Sequence, residues 1–402
     1  MNPRHSVSRR TLLVAGMSVT VASAMAKASA AAPQSQGHKL VVVILRGAMD
    51  GLAALPKVDD PDIRQHRAAL IDPNARPIAD GFALHSAFAN LATLYQSREA
   101  AFIPATAGPY RERSHFEAQD LLECGGVSSV SRDGWLNRAL QKAPGAYTAV
   151  SIGPVQPLIL RGASAAASSW SPAVLPEASD DTLHRLLDLY ENDPVLKPAL
   201  VSAVGADMVA STMAASDGAG MQGQNMQGMG GGRGGPGQYV PLMSAAGRFL
   251  SQAEGPEIAV VSLEGWDTHT QQNGALQQRF AALDNAIAAL KQQLGPAWAK
   301  TAVVCVTEFG RTVRVNGGGG TDHGTAGLVI LAGGAVKGGR IMGDWPTLRP
   351  AALFENRDLA PTTDARSAFK GLLRDHLGWS GSDLDAAVFP QSGPAGAMAG
   401  LV

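Results

Sequence analysis

Cysteine is nearly missing from this chain: its 402 residues hold only two, Cys124 and Cys305. That count excludes a disulfide framework, and their spacing excludes a zinc site built from thiolates. Cys305 lies inside the apolar run "TAVVCV" and reads as a free, buried thiol. Charge is scarce as well. Charged residues make up 17% of the chain against 45% hydrophobic, and the formal net charge is -1. With no basic patch in view, nucleic acid and anionic membranes are excluded as main partners. Apolar runs long enough to span a bilayer are also lacking, so the mature protein is expected to have no membrane span.

The N-terminus is where the sequence first becomes specific. "SVSRRTLLVAGMSVTVASAMAKASAAAP" has a basic start, the pair Arg9 and Arg10, a moderately apolar stretch and a run of small residues ending in Ala28, Ser29 and Ala30. This is a signal-peptide layout, too short and too rich in alanine and serine for a spanning helix. Its Ser-Arg-Arg-x-Leu-Leu order resembles a twin-arginine export signal. Residues 1–30 are therefore expected to be a signal peptide, leaving 31–402 as a single periplasmic domain. Export by that route usually means folding before translocation, often around a cofactor.

Along the mature chain, short apolar runs alternate with amphipathic stretches. "HKLVVVILRGAMDGL" predicts a core strand over Leu40 to Leu45 that breaks at Gly47. "HSAFANLATLYQS" reads as a helix with Phe88, Leu91 and Tyr95 on one face, and "AAFIPATAG" as a second strand. "SHFEAQDLLECG" predicts a helix with Ser114 placed to cap it. "DDTLHRLLDLY" reads as another helix, and the Gly/Met/Gln stretch 217–238 as a flexible insertion rather than a copper site. Further on, "PEIAVVSLEGWDTH" predicts a strand. "LQQRFAALDNAIAALKQQLG" places Leu276, Phe280, Leu283, Ile287, Leu290 and Leu294 on one helical face and stops at Gly295. "TAVVCV" and "GLVILAG" are two more strands, and "DARSAFKGLLRDHLG" a closing helix. Strands alternating with helices imply an α/β fold, with a largely parallel sheet covered on both faces.

Ligands of such sheets gather beyond the carboxyl ends of the strands, and every polar cluster here follows a predicted strand. Asp50 follows the first. Arg113, Ser114 and His115 follow the second, Asp267 and His269 a later one, and Glu308 follows "TAVVCV". Asp322 and His323 precede "GLVILAG". Taken singly, Asp50 reads equally as a turn cap and Ser114 as a helix cap. Taken together, carboxylates plus imidazoles suit a divalent metal: zinc, manganese or iron, or calcium where carboxylates dominate.

The same segments resemble a known family. "LVVVILRGAMDGL", "RSHFEAQDLLECG", "GWDTHTQQ", "TEFGRTVRVNGGGGTDHGTAGLVILAGG" and "RDLAPTTDARSAF" resemble, in order, the blocks of an exported bacterial family, domain of unknown function 1501, from about residue 38 to 380. That family is placed in the alkaline-phosphatase-like superfamily. The resemblance implies a three-layer sandwich with a mostly parallel central sheet. It implies a metal-dependent hydrolase of phosphate or sulfate esters, with a small anionic ester or a polysaccharide as substrate. Asp50, Asp267, His269, Glu308, Asp322 and His323 would be metal ligands, and Ser114 the nucleophile. Arg113 would hold the anion together with Arg46 or Arg311, and His115 would be the acid/base. The pattern also departs from the superfamily. Gln271, not His, stands four residues after Asp267, and Phe309 stands where the second half of an Asp-His pair is expected. One metal site, from Asp267, His269 and His323, is therefore expected; the other, from Asp50, Ser114 and Glu308, lacks an imidazole. A degenerate binding protein on the same fold, working with a co-encoded exported partner, is the competing expectation.

Overall fold

Alternation within the first strand decides the architecture. β1, Lys39–Leu45, is buried along its whole length. Val41, Val43 and Leu45 enter one core, and Leu40, Val42 and Ile44 enter another. A strand covered on both faces has no polar side to show, so the run reads as unbroken Val, Ile and Leu.

The computed structural model describes residues 37–171 and 235–402, apart from 127, 129–131, 144 and 154, with a few positions between 186 and 201. The expected signal peptide, most of "DDTLHRLLDLY" and most of the stretch 217–238 lie outside the described residues.

Among the described residues the main sheet is nine-stranded. After β1 come β2 (Ala100–Ala107), β3 (Ala149–Ile152), β4 (Ala167–Trp170), β5 (Ile258–Leu263), β6 (Thr301–Val306) and β7 (Gly327–Ala332). The short β8 (Arg340–Ile341) and β9 (Thr363–Asp364) complete it. The order across the sheet is β8-β2-β7-β6-β1-β5-β3-β4, with β9 also paired to β2. β1 runs parallel to β5 and β6, as β3 does to β4 and β5. β7 runs against both its neighbours, β2 and β6. That reversal brings the start of β7 to the edge where β1, β5 and β6 end.

Helices cover both faces. α1 (Ala89–Gln96), α4 (Tyr239–Ser251) and α5 (Gln272–Leu294) pack on the Val41 side. α3 (Trp135–Lys142) and α6 (Ala365–Asp375) pack on the Leu40 side. α2 (His115–Cys124) follows the loop after β2. The result is the expected three-layer α/β sandwich. The six apolar residues expected on one face of α5 are all buried, a gross gain of roughly 10–15 kcal/mol. They anchor the helix whose first turn meets the polar edge. No helix among the described residues is long and apolar enough to cross a membrane.

Candidate metal centre

Three loops and one helix start deliver the polar side chains to the carboxyl edge of the sheet. The loop after β2 turns into α2 through Arg113, a non-glycine residue with φ 60, and places His115 on the first turn. The loop after β5 carries Asp267 and His269, and Glu308 follows β6. The glycine run then folds back flat. A Cβ on Gly320 would lie 2.4 Å from the His269 carbonyl group, and one on Gly324 would lie 2.4 Å from the Arg311 backbone. Only glycine permits that approach, and it sets Arg311 opposite His323 in a backbone bridge.

The side chains converge on one point. His115 Nε2 lies 2.9 Å from His323 Nε2, and His323 Nε2 lies 3.1 Å from His269 Nε2. Asp267 Oδ1 is 2.9 Å from His269 Nε2 and 3.2 Å from His323 Nε2, while Oδ2 is 3.5 Å from His115 Nε2. His115, Asp267 and His323 form a group with donor atoms within 4.8 Å of one another. Four donors around a tetrahedral ion bonded at 2.0–2.1 Å stand roughly 3.4 Å apart, so the spacing fits a zinc-sized cation after a slight expansion.

The far nitrogens explain why the near ones face inward. His115 donates its Nδ1–H to Glu308 Oε1 at 2.7 Å, and His323 donates its Nδ1–H to the Arg113 carbonyl at 3.0 Å. His269 Nδ1 lies 3.5 Å from Asp322 Oδ1. A ring whose Nδ1 carries the proton presents a lone pair at Nε2. Lone pairs of neighbouring rings at this range repel unless a cation or a proton sits among them. The donor set therefore fits a divalent metal of the zinc class.

Electrostatics sharpen the picture. Burial would raise the Asp267 carboxyl, but hydrogen bonds from His115, His323 and Arg311 hold it far below the usual range. Hydrogen bonds to Asp267 and Glu308 push the His115 imidazole up to about 9, against burial. Burial also works against the Glu308 charge, yet His115 and Gln119 hold its carboxyl below the ordinary value. Glu308 further accepts from the Gly47 N–H at 2.8 Å and the Thr307 hydroxyl at 2.9 Å. It is a fully engaged anion behind the convergent His115 ring.

A family model described as a protein of unknown function, DUF1501, matches residues 105–388. The chain belongs to the DUF1501 family. No curated protein matches it in sequence. Among solved structures it is similar to the phosphonate monoester hydrolase of Agrobacterium radiobacter, at 12% identity and TM-score 0.38, covering 83% of this chain and 73% of that one. It is also similar to a protein in the alkaline phosphatase superfamily from Vibrio parahaemolyticus (12%, TM-score 0.36, 78% and 64% covered). A third is the alkaline phosphatase of the Antarctic bacterium TAB5 (11%, TM-score 0.35, 76% and 94%). Likeness this distant leaves the chemistry to be read from the side chains of this DUF1501 protein itself.

Several expected residues take other places. Asp50 is fully buried, caps the turn Gly51–Ala54 through the Ala53 N–H, and bonds Arg67 and Gln272; among the described residues it makes no bond to the histidines. Glu308 contacts His115 from behind rather than joining the convergent donors. Arg46 bonds Gln119, Glu123 and Ser262, Arg113 pairs with Glu355 and Asp358, and Arg311 pairs with Asp267. None of the three guanidiniums expected to hold an anion is without a carboxylate or amide partner. Ser114 occupies the N-cap position of α2, but its side chain makes no capping bond. Asp322 sits beside His269, as an orienting partner. Phe309 packs as a wall, its ring 4.9 Å from His115 and 5.1 Å from His323. His115, read from sequence as an acid/base, lies among the convergent donors. Arg67 lies outside every motif; Gln272 and Thr321 end or sit inside the blocks "GWDTHTQQ" and "GGGGTDHGT", but nothing in the spacing marked them apart from the ionisable residues beside them.

Proposed function

We propose that this protein is an exported, metal-dependent hydrolase of phosphate or sulfate esters that works with one divalent ion per chain. The observation that carries the reading is the convergence of His115, Asp267 and His323, with the far nitrogen of each histidine held by an oxygen. His269 stands beside them on the solvent side. The reading takes one ion rather than two because Asp50 already accepts from three donors.

When bound, the ion would supply Lewis-acid polarisation of the ester oxygen. The remaining steps belong to the chain. Ser114 immediately precedes His115 and makes no capping bond to the helix, and it would serve as the nucleophile. Its hydroxyl proton passes to the exposed His269 as its oxygen bonds phosphorus or sulfur, and His269 hands that proton to the ester oxygen as it leaves. One water then releases the anion and restores the hydroxyl. Glu308 and the Arg113 carbonyl keep the His115 and His323 rings from turning. Export by the twin-arginine route, with removal of residues 1–30, places the work in the periplasm.

One observation favours a second reading, a binding or partner protein without turnover. Arg46, Arg113 and Arg311 are all occupied, so no expected arginine is left for the anionic oxygens. Metal analysis of the exported protein, followed by assay on aryl phosphates and sulfates, tests both. One ion per chain with turnover supports the hydrolase; one ion without turnover supports the binding protein. A protein that takes up no divalent metal overturns both versions of the site.

A further inference from the structure

Behind Asp267 runs a row of buried polar side chains that the proposed chemistry leaves unused. We propose that Gln272 is a positioning residue for Asp267, acting through Thr321 and Arg311. Its geometry stands by itself; its consequence for a metal rests on the proposed function.

The row has a direction fixed at its far end. Asp50, an anion, can only accept, so the Gln272 amide must turn its Nε2 toward Asp50 Oδ2. That turn leaves Gln272 Oε1 facing Thr321, whose hydroxyl donates to it at 2.6 Å. A hydroxyl has one proton, so Thr321 Oγ1 meets Arg311 Nε as an acceptor, at 3.1 Å. Arg311 Nη2 donates to the Thr321 carbonyl at 2.6 Å, and Nη1 donates to Asp267 Oδ1 at 2.6 Å. The guanidinium is thus pinned by all three of its nitrogens. Asp50, Gln272 and Thr321 are fully buried and Arg311 is 1% exposed, so water cannot replace a missing link.

A second observation points to the same residue. Gln271, immediately before it, takes φ 44 and ψ 44, a left-handed conformation that costs a non-glycine residue about 1 kcal/mol or more. The strain is held by the glycine run: the Gln271 N–H donates to the Gly318 carbonyl at 3.0 Å, and the Gln272 N–H donates to the Gly319 carbonyl at 3.1 Å. This bend starts α5 with Gln272 directed into the interior. Gln272 is the link between the closed Asp50 pair and the open metal group.

Two measurements test the proposal on the full chain. The first is hydrogen exchange at the Arg311 Nε–H by NMR in metal-free protein. The second is cobalt(II) affinity by chelator competition, read together with the visible spectrum of the bound ion. Gln272→Met and Thr321→Val should each speed the exchange by about tenfold or more, and weaken cobalt binding by about 10–100-fold with a changed spectrum. Thr321→Val keeps the shape and the carbonyl, so it decides the matter if Gln272→Met does not fold. Thr321→Ser should restore both readouts. Unchanged exchange in folded Thr321→Val overturns the proposal, and so does unchanged cobalt affinity when the parent binds cobalt. A parent that binds no cobalt removes the metal reading alone; the exchange rates then sustain or overturn the positioning role.

Discussion

Asp50 and Asp267 follow two strands of one sheet, each faces a buried guanidinium, and they end in opposite states. Asp50 is 0% exposed against Arg67 at 1%, and the Ala53 N–H, Arg67 and Gln272 all donate to it. The Asp267 side chain is 41% exposed against a buried Arg311, and three imidazoles stand around it. The ion pair is the same; the remaining lone pairs differ. Where backbone and amide donors fill them, the carboxylate is structure. Where imidazole nitrogens and solvent meet them, the carboxylate can take a cation. Residue type and place after a strand therefore do not distinguish a ligand from a cap; the count of donors already present does.

The hardest test of that contrast is to remove one guanidinium. Arg67→Met leaves Asp50 buried without its cation, and the expected loss is about 3–5 kcal/mol in urea unfolding. Metal content per chain should stay as in the parent. A loss below about 1 kcal/mol contradicts the closed pair as a structural element. Asp267→Asn should behave in the reverse way. Zinc affinity, measured by chelator competition, should drop by more than about 100-fold. Stability should also fall, because the buried Arg311 loses its counter-charge, but by less than in Arg67→Met, since the partner carboxylate is part-solvated. Equal affinities in parent and variant would remove Asp267 from the site.

This contrast also marks how far the sequence could be read. The strands and α5 were legible because burial on both faces, or on one helical stripe, writes itself into the spacing of apolar residues. The clustering of Asp267, His269, Glu308 and His323 at one edge was legible because parallel strands send their carboxyl ends the same way. The roles within the cluster were not. Glu308 and His115 differ from their expected parts by one hydrogen bond, and no spacing records which of two contacting residues faces the centre. Asp50 was read from sequence as both a possible cap and a possible ligand. Deciding needs Arg67 and Gln272, which lie 17 and 222 residues away. The glycine run was conspicuous in sequence. Its task was hidden, because it holds the backbone of Gln271 and Gln272 and so acts on a loop remote in the chain.

Proton linkage at the open pair gives a smaller effect. In metal-free protein the hydrogen bonds to Asp267 and Glu308 push the His115 imidazole up to about 9, so the folded state holds that proton more tightly. The stabilisation is complete below about pH 6.5 and is lost as pH rises through about 9, with an upper size on the order of 3 kcal/mol. Partial exposure of the ring lowers the observed figure. Unfolding free energies between those pH values should therefore fall in metal-free protein. With saturating zinc the slope should flatten, because the ion takes the place of the proton. A flat metal-free profile would show that Asp267 and Glu308 do not hold the His115 proton.

Ser114→Ala should disturb neither carboxylate. Loss of a working N-cap costs about 1 kcal/mol. Here the hydroxyl makes no bond to the helix it precedes, so the expected change in unfolding free energy is below about 0.5 kcal/mol. Metal affinity should also match the parent, since His115 keeps its backbone and its bond to Glu308. A silent effect on stability and metal binding makes this variant the cleanest probe of turnover. If the aryl-ester rate falls to background while both other readouts hold, the lost oxygen was the attacking one. If the rate persists, Ser114 is only the residue before His115, and the nucleophile must come from solvent on the open side of Asp267.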